Sequence, residues 1–593
     1  MGKIVIYIVI FFLLTCELYA QNQILPPNRR VPWEKAGLQQ DLPVPGEVLN
    51  ILDFGGDNTG KTASDEALRQ AIASLNGYGI IQFPAGNYLF EETIRLGDST
   101  ILRGEGALET SLQFDLGGQG HLITAEGAVS GRYELSADAA FGATEITLNN
   151  IDGLKAGDYI RIYQEDNAVV ASDWALNSTG QINQITGLSG TDGLTLADPL
   201  RMDYHIEKLP AIEKIQPVAG VGIHCLKIER NDATPDQTSN IVFRYAINCQ
   251  VQGVESDRCN FSHIALSYSS HIKISASYFH HGFTYGCGGR AYGVVAQFSS
   301  GNCLVENNIF EHLRHAMLLQ AGANGNVFAY NYSTDPFWEE PLAPTNTAGD
   351  LVLHGNYPYA NLFEGNIAQN IVIDNSHELN GPINTFFRNR AELFGFIMFP
   401  NPASDRQNII GNEVTSIENP TGVFLTMGND HLIHGNQVQG EIVPESTTLS
   451  DTSYYLSEKP DFLGNYPWPL IGLPRQLNFY SIPAKDRFLK GENLTLCGDE
   501  EPVITGLGDG TPPLLKDHLF PNPNRGTFTL NLDKIPISPT FIQVIDPMGQ
   551  VIFKTLTNEK ANHIHLKNQP KGLYIVKIQG RNQAPITLKF VLY

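Results

Sequence analysis

Between about residues 220 and 440 the apolar residues fall in short alternating runs, each cut by glycine and asparagine. A helix would instead repeat them at i, i+3, i+4 and i+7 over ten or more positions, so the pattern predicts strands and turns. One phrase keeps returning: "CLVENNIF", "NVFAYNYS", "NLFEGNIA", "NTFFRNRA", "NIIGNEV" and "HLIHGNQV". Its asparagines are Asn308, Asn331, Asn366, Asn389, Asn412 and Asn436, spaced by 23, 35, 23, 23 and 24 residues. An apolar residue stands three positions before each, and Val254 and Ser277 extend the register upstream at a spacing of 23. A repeated asparagine can bond through its amide to the same residue about 4.8 Å away in the next coil, and it tolerates a left-handed turn. The expectation is a parallel β-helix of about 23 residues per coil. A leucine-rich repeat is the rival, but its L-x-x-L-x-L phrase is absent.

Two coils exceed the period. Ser277 to Asn308 takes 31 residues and contains "HHGFTYGCGGRAYG"; Asn331 to Asn366 takes 35 and contains "TDPFWEEPLAPTNTAGD". Stacked coils accept extra residues only at turns, so both surpluses should project as loops and wall a groove. Four residues after successive ladder positions come Arg258, His281, His312, Asp335 and Asn370, which predicts one polar column over five coils. His280, Arg314 and His315 lie beside it, and His354 and His377 form a second pair, with Glu378 next in the chain.

The flanks carry two resemblances. "ILDFGGDNTGKTASDEALRQAIASLNGYGIIQFPAGNYLF" reads as a strand, a glycine-rich turn and a short helix from about Ser64 to Ser74, and "STILRGEG" follows. Leu49 to Gly106 resembles in motif detail the start of the rhamnogalacturonase/epimerase-like branch of the pectate-lyase superfamily, and the coils to about 445 match its pattern. That resemblance implies a right-handed parallel β-helix. Residues 130–202 read as an inserted β module within a β-helix domain of 49–490. From about 516, alternating strands with turn signals fit a small β-sandwich. Phe520-Pro-Asn-Pro523 and Gly572-Leu-Tyr-Ile-Val-Lys577 resemble the C-terminal sorting domain of the type IX secretion system of Bacteroidetes-type bacteria. The likeness implies the secretion machinery as a partner and a secreted or cell-surface location; a terminal carbohydrate-binding sandwich is the alternative. The fold class expected overall is all-β.

Lys3, the apolar run Ile4 to Leu14 and Leu18-Tyr19-Ala20 read as a signal peptide over 1–20, with a lipid-anchored Cys16 as the rival. Residues 21–48 then form a lead, and 491–515 a linker before the sandwich. No later run reaches the ~18 apolar residues of a membrane span. A net charge of −23 and a pI near 5.1 argue against nucleic acid or an acidic membrane surface as the general partner. Six cysteines follow the leader without zinc-motif spacing, and Cys287 and Cys303 could staple the first long loop or remain thiols. No metal or cofactor is assigned; calcium stays open, although the column holds few carboxylates.

The groove points to a polysaccharide or oligosaccharide. β-Elimination on a uronate needs a cation for the carboxylate, a base for the adjacent proton and an acid for the leaving oxygen. Candidates for the chemistry are His281, His312, Arg314, His315, Asp335 and Tyr285. Candidates for holding substrate are Arg290, Tyr292, Phe337, Trp338, His354, His377 and Arg388, with aromatic faces suited to sugar C–H patches. Glycoside hydrolysis by two carboxyl groups is the alternative, drawing on Asp335, Asp350, Asp374 and Glu378; a non-catalytic glycan-binding surface protein is the third reading. The Asn-Thr-Asp and Gly-His-Gly phrases of polygalacturonases are replaced here by Asn346-Thr347-Ala348-Gly349-Asp350 and Leu353-His354-Gly355. No role is therefore carried over from the resemblance.

Overall fold

Short strands stacked in parallel register build the first unit of the chain, in a computed structural model that describes residues 24–497 except 43–45, 341–347, 418–420, 446–447 and 475–479. The strands of a second unit are described within 519–592, while the expected signal peptide and residues 498–515 of the expected linker lie outside the described residues.

A regular coil of the first unit contributes one strand to each of three faces, as in Leu304–Glu306, Ile309–Glu311 and His315–Leu319. On the first face the register runs Ile274, Val305, Phe328, Phe363, Phe386, Ile409 and Ile433, each paired with the next. These are the apolar residues three positions before the ladder. All but Ile433 are fully buried, and the rings of Phe328, Phe363 and Phe386 follow one another at centroid distances of 5.7 and 5.0 Å. The parallel β-helix and its period are as the sequence predicts.

The ladder itself is continuous. The Asn331 backbone N–H and its side-chain Nδ2 both donate to Asn366 Oδ1 at 3.0 Å, and Nδ2 also donates back to Val305 O at 2.8 Å. The same triplet of bonds recurs at Asn366, Asn389 and Asn412. Each side chain thus saturates backbone groups that a turn would otherwise leave unpaired inside the protein. A second ladder, absent from the sequence reading, runs through Asn326, Asn361, Asn384 and Gln407 at another corner. Its members follow glycine, alanine, isoleucine or arginine rather than one repeated phrase, which hid them.

The helix Asp65–Ser74 buries Ala67, Leu68 and Ala71 against the first coil, and the antiparallel pairing of Asn436–Val438 with Glu441–Val443 ends the other side of the stack. Between Ala128 and Gln216 a six-stranded antiparallel sheet with its own apolar core interrupts the coils. The inserted module therefore extends beyond residue 202, because Ala211–Gln216 pairs back to Ala128–Glu134. The lead lies against the stacked coils, with Trp33 buried and its indole N–H on Ala360 O at 2.8 Å.

All six described cysteines are thiols. Cys303 is buried beneath the strands while Cys287 is exposed on the loop, so the bridge considered between them does not form. The Cys225 and Cys497 thiols are joined by a hydrogen bond, with no covalent link. In the second unit a three-stranded and a four-stranded antiparallel sheet enclose Phe528, Leu530, Ile542, Val544, Tyr574 and Val576, giving the small β-sandwich expected. Gly572–Gly580 is a central strand there, whereas Pro521 to Pro523 lie outside the described residues.

Replacing Asn366 by alanine strands the Asn331 N–H and the Phe328 carbonyl in the interior. Each stranded group costs about 1–3 kcal/mol. Asn366→Ala is expected to lower the urea midpoint of the first unit clearly, and an unchanged midpoint would refute the ladder's role.

Candidate functional site

The corner between the second and third faces turns on a single left-handed residue per coil. Arg258, His281, His312 and Asp335 occupy it with φ of 54, 62, 50 and 50°, and histidine and aspartate tolerate this region better than bulky or branched residues do. The His281 and His312 rings lie 5.1 Å apart, and His312 Nδ1 meets Asp335 Oδ2 at 2.7 Å. Burial, then neighbouring His280 and His312, holds His281 below the usual histidine range. The column ends there. Asn370, its fifth expected member, lies inside a strand that runs unbroken from Ile367 to Ile373, because this coil does not turn at the corner. Its Nδ2 donates to Ala348 O at 2.8 Å.

Both long coils do project loops, and the loops bind each other. Tyr285 N–H donates to Glu339 Oε1 at 3.1 Å, and Glu339 N–H to Tyr285 O at 3.3 Å. On one side of this wall Tyr285 and Phe337 pack on His312, at 4.9 and 5.1 Å between ring centroids. Burial pushes the Tyr285 phenol up to about 12, and its oxygen accepts the Gly282 N–H. On the other side Trp338 and Tyr292 flank the Arg314 guanidinium at 5.2 and 5.8 Å, with Arg314 Nη1 on Gly286 O at 2.9 Å.

Beyond Trp338 lies a cavity of about 390 Å³ on the outer surface of the third face. Arg314, His315, Trp338, His354 and Asp374 supply its ionisable and indole groups, and Val372, Phe394, Ile397 and Phe399 its apolar floor. Its volume suits a small-molecule site, typically about 300–1,000 Å³. His315 Nδ1 faces Gly349 O at 2.8 Å and so carries the proton, leaving Nε2 as a lone pair. His354 Nδ1 is bound to Asp374 Oδ2 at 2.6 Å. Burial alone would raise the Asp374 carboxyl, but the facing His354 imidazole prevails and holds it below the usual range. Arg314 Nε, His315 Nε2 and Trp338 Nε1 are buried without any hydrogen-bond partner. Three orphaned polar atoms around one cavity are uncommon, since buried polar groups are nearly always paired.

Tyr292, His315, His354 and His377 form a row of rings 5.2 to 5.3 Å apart leading along this face. His377 ends it, held by Ser172 Oγ at 3.0 Å and by the Trp174 ring at 5.3 Å, both from the inserted module. Sequence reasoning missed Ser172, Trp174, Phe394 and Phe399. The first two arrive from a module whose docking leaves no local signal, and the phenylalanines belong to an irregular coil. Arg290 sits at the loop rim, bonded to the carbonyls of Pro235 and Asp236.

Arg388 is elsewhere. It leaves the corner between the first and second faces, where the carbonyls of Leu449, Asp451, Ile471 and Leu473 take its guanidinium, and burial brings it down to about 10. The returning segment after the last coil occupies that surface, so the assignment of Arg388 to substrate is corrected to a structural clamp. Asp350 does not line the cavity either; Ser333 Oγ and the N–H groups of Gln369 and Asn370 surround it, and burial raises it to about 7. The residues named from the sequence thus divide between the corner column, the loop wall, the cavity with its row of rings, and this clamp.

Comparison with known proteins agrees with both resemblances. Residues 48–186 match the family described as rhamnogalacturonase A/epimerase, pectate lyase-like, and residues 518–593 match the secretion system C-terminal sorting domain. The latter marks a chain exported to the cell surface or the extracellular space. Similar solved structures include the tailspike gp61 of Pseudomonas phage phi297, at 13% identity over 66% of this chain and 75% of that one, with a TM-score of 0.47. The A-module of the Azotobacter vinelandii mannuronan C-5 epimerase AlgE6 matches at 11% identity over 66% and 98%, TM-score 0.37. A Thermotoga maritima exopolygalacturonase matches at 13% over 68% and 90%, TM-score 0.37. These are likenesses of fold. No curated protein sequence matches the chain.

Burial displaces His315 far below its ordinary value, and His354 and Arg314 add to the shift. An unfolded chain takes up this proton near pH ~6.5, while the folded chain refuses it until well below, so acidification through that range favours unfolding. The non-titrating variant His315→Gln is expected to lose less stability than the wild type between neutral and acid pH. Urea midpoints across that range test it; parallel curves would mean that His315 is not held neutral.

Proposed function

We propose that the cavity binds a uronate unit of an extracellular polysaccharide and removes the proton next to its carboxylate, leading to β-elimination. The observation that carries the reading is a set of three buried, unpartnered polar atoms on residues that line one cavity: two N–H donors, Arg314 Nε and Trp338 Nε1, and one acceptor, His315 Nε2. A carboxylate supplies what both donors lack, and a guanidinium is suited to hold it. His315 lines the same cavity, and its unpartnered lone pair is the group suited to accept a carbon-bound proton. The negative charge of a bound uronate would raise its affinity for that proton from the low value of the empty site.

His354 completes the set. Asp374 accepts the Nδ1 hydrogen bond and stabilises an imidazolium. His354 in its doubly protonated form gives the Nε2 proton to the leaving oxygen as the C4–O bond breaks and a C4–C5 double bond forms, and is left as the neutral Nδ1–H imidazole. Phe394 and Phe399 offer the apolar surface that a sugar face stacks on. The family description matched by residues 48–186 favours a glycan substrate. Hydrolysis by a carboxylate pair is disfavoured, because Asp374 is the single carboxylate among the described lining residues and is bonded to His354.

Incubation with a panel of pectic and algal uronates should generate the ultraviolet absorbance of an unsaturated product. New reducing ends without absorbance would replace elimination by hydrolysis, and binding with neither signal would make the protein a glycan-holding surface module. His315→Ala is expected to lower kcat by about 10²–10⁴-fold. Arg314→Ala should act chiefly on KM, through the lost carboxylate contact. Full activity in both variants would place the chemistry outside this cavity.

A further inference from the structure

We propose that Asp257, His280 and His281 form a binding site for a zinc-type divalent metal ion, at the corner column on the opposite side of the loop wall from the cavity. One ligand atom from each residue lies within 4.8 Å of the other two. His280 Nδ1 stands 3.0 Å from His281 Nδ1 and 3.5 Å from Asp257 Oδ1. Bonds of about 2.0–2.1 Å to a tetrahedral ion place ligand atoms roughly 3.3 Å apart, so both separations match neighbouring vertices of one coordination sphere.

The backbone explains how two consecutive histidines can share an ion. Successive side chains of a strand point to opposite faces. His281 breaks that alternation with its φ of 62°, and its ring comes to lie 5.2 Å from that of His280. Asp257 is the strand partner of His280 in the preceding coil, which brings the carboxylate beneath the imidazole pair. Two Nδ1 atoms facing each other at 3.0 Å can share only one proton between them, whereas a cation accepts both lone pairs at once.

Supporting groups surround the three ligands. Glu255 Oε1 lies 3.4 Å from His280 Nε2, the outer contact that orients a metal-bound imidazole, and the Tyr278 ring stacks on His280 at 4.3 Å. Lys227 and Arg258 approach Asp257 at 3.5 and 3.6 Å, so an ion would compete with them for this carboxylate. Two imidazoles and one carboxylate select zinc, nickel or copper over calcium, which prefers six to eight oxygens. Three protein ligands leave a position open, as in zinc sites that exchange water or substrate.

The test is zinc binding to the full chain after chelator treatment, measured by equilibrium dialysis with zinc alone and followed with cobalt(II) as a visible probe. One ion per chain is expected. His281→Ala and Asp257→Asn should each weaken it by more than the roughly 10–100-fold typical of losing an outer partner, and should abolish the four-coordinate cobalt spectrum. His377→Ala, remote from the three ligands, should leave both unchanged, and circular dichroism distinguishes a lost site from a lost fold. Absence of stoichiometric binding, or binding that survives both ligand variants, would overturn the proposal. Its outcome is independent of whether the cavity acts on uronates.

Discussion

A backbone that turns at the corners of every coil must satisfy the N–H and carbonyl groups that leave the strands, and it must do so in the closely packed interior of a stack. The asparagine ladder meets this constraint. Each amide oxygen takes two donors from one coil while its nitrogen returns a bond to a carbonyl beyond, so neighbouring coils are held in one register. A slip by one residue would break every rung at once and turn the apolar stack of Val305, Phe328 and Phe363 outward. The outer surface inherits that order, since a side chain at a fixed offset from a ladder asparagine appears at a fixed place above the one before.

The candidate site arises where this order is relaxed. Through Asp335, each coil turns sharply at the second corner and presents a polar residue in the left-handed region. From Ile367 onward the strands Ile367–Ile373 and Arg390–Met398 run straight through it. The straight stretch supplies Asn370, Val372, Phe394 and Ile397 as lining of the cavity, immediately beyond the last projecting loop. Corner column and cavity are therefore two consequences of one change in coil geometry, separated by a wall of two loops that bond to each other.

The period, the stacked core, the two projecting loops and the helix at the start were legible because they depend on residues close in sequence or repeated at a fixed interval. What failed was the assumption that every coil turns at the same offset. Asn370 stands at the column's offset although its coil has no corner, and Arg388 reads as a substrate contact although the segment 449–473 returns to cover its surface. Trp174 and Ser172 come from a module more than two hundred residues before their partner His377, with no periodicity linking them. Arg314 and His315 are legible as neighbours of the column, Trp338 as a loop aromatic, and His354 and His377 as a second stacked pair, but nothing in the repeat joins them into one pocket.

An acidic protein of net charge −23 would be a poor host for an anionic glycan if its charge were spread evenly. Near the site it is not. Asp374 is bonded to His354, Asp335 to His312, and Asp257 lies beside Lys227 and Arg258, so each of these three carboxylates has an imidazole or a cation against it. Arg314 is balanced by no carboxylate among the described residues; a carbonyl and two aromatic faces are its partners. Its charge stands in a half-enclosed, low-dielectric setting where water screens it weakly. Arg314 is thus the lining cation left without a carboxylate partner among the described residues, and the overall charge of the surface does not decide what the cavity can hold.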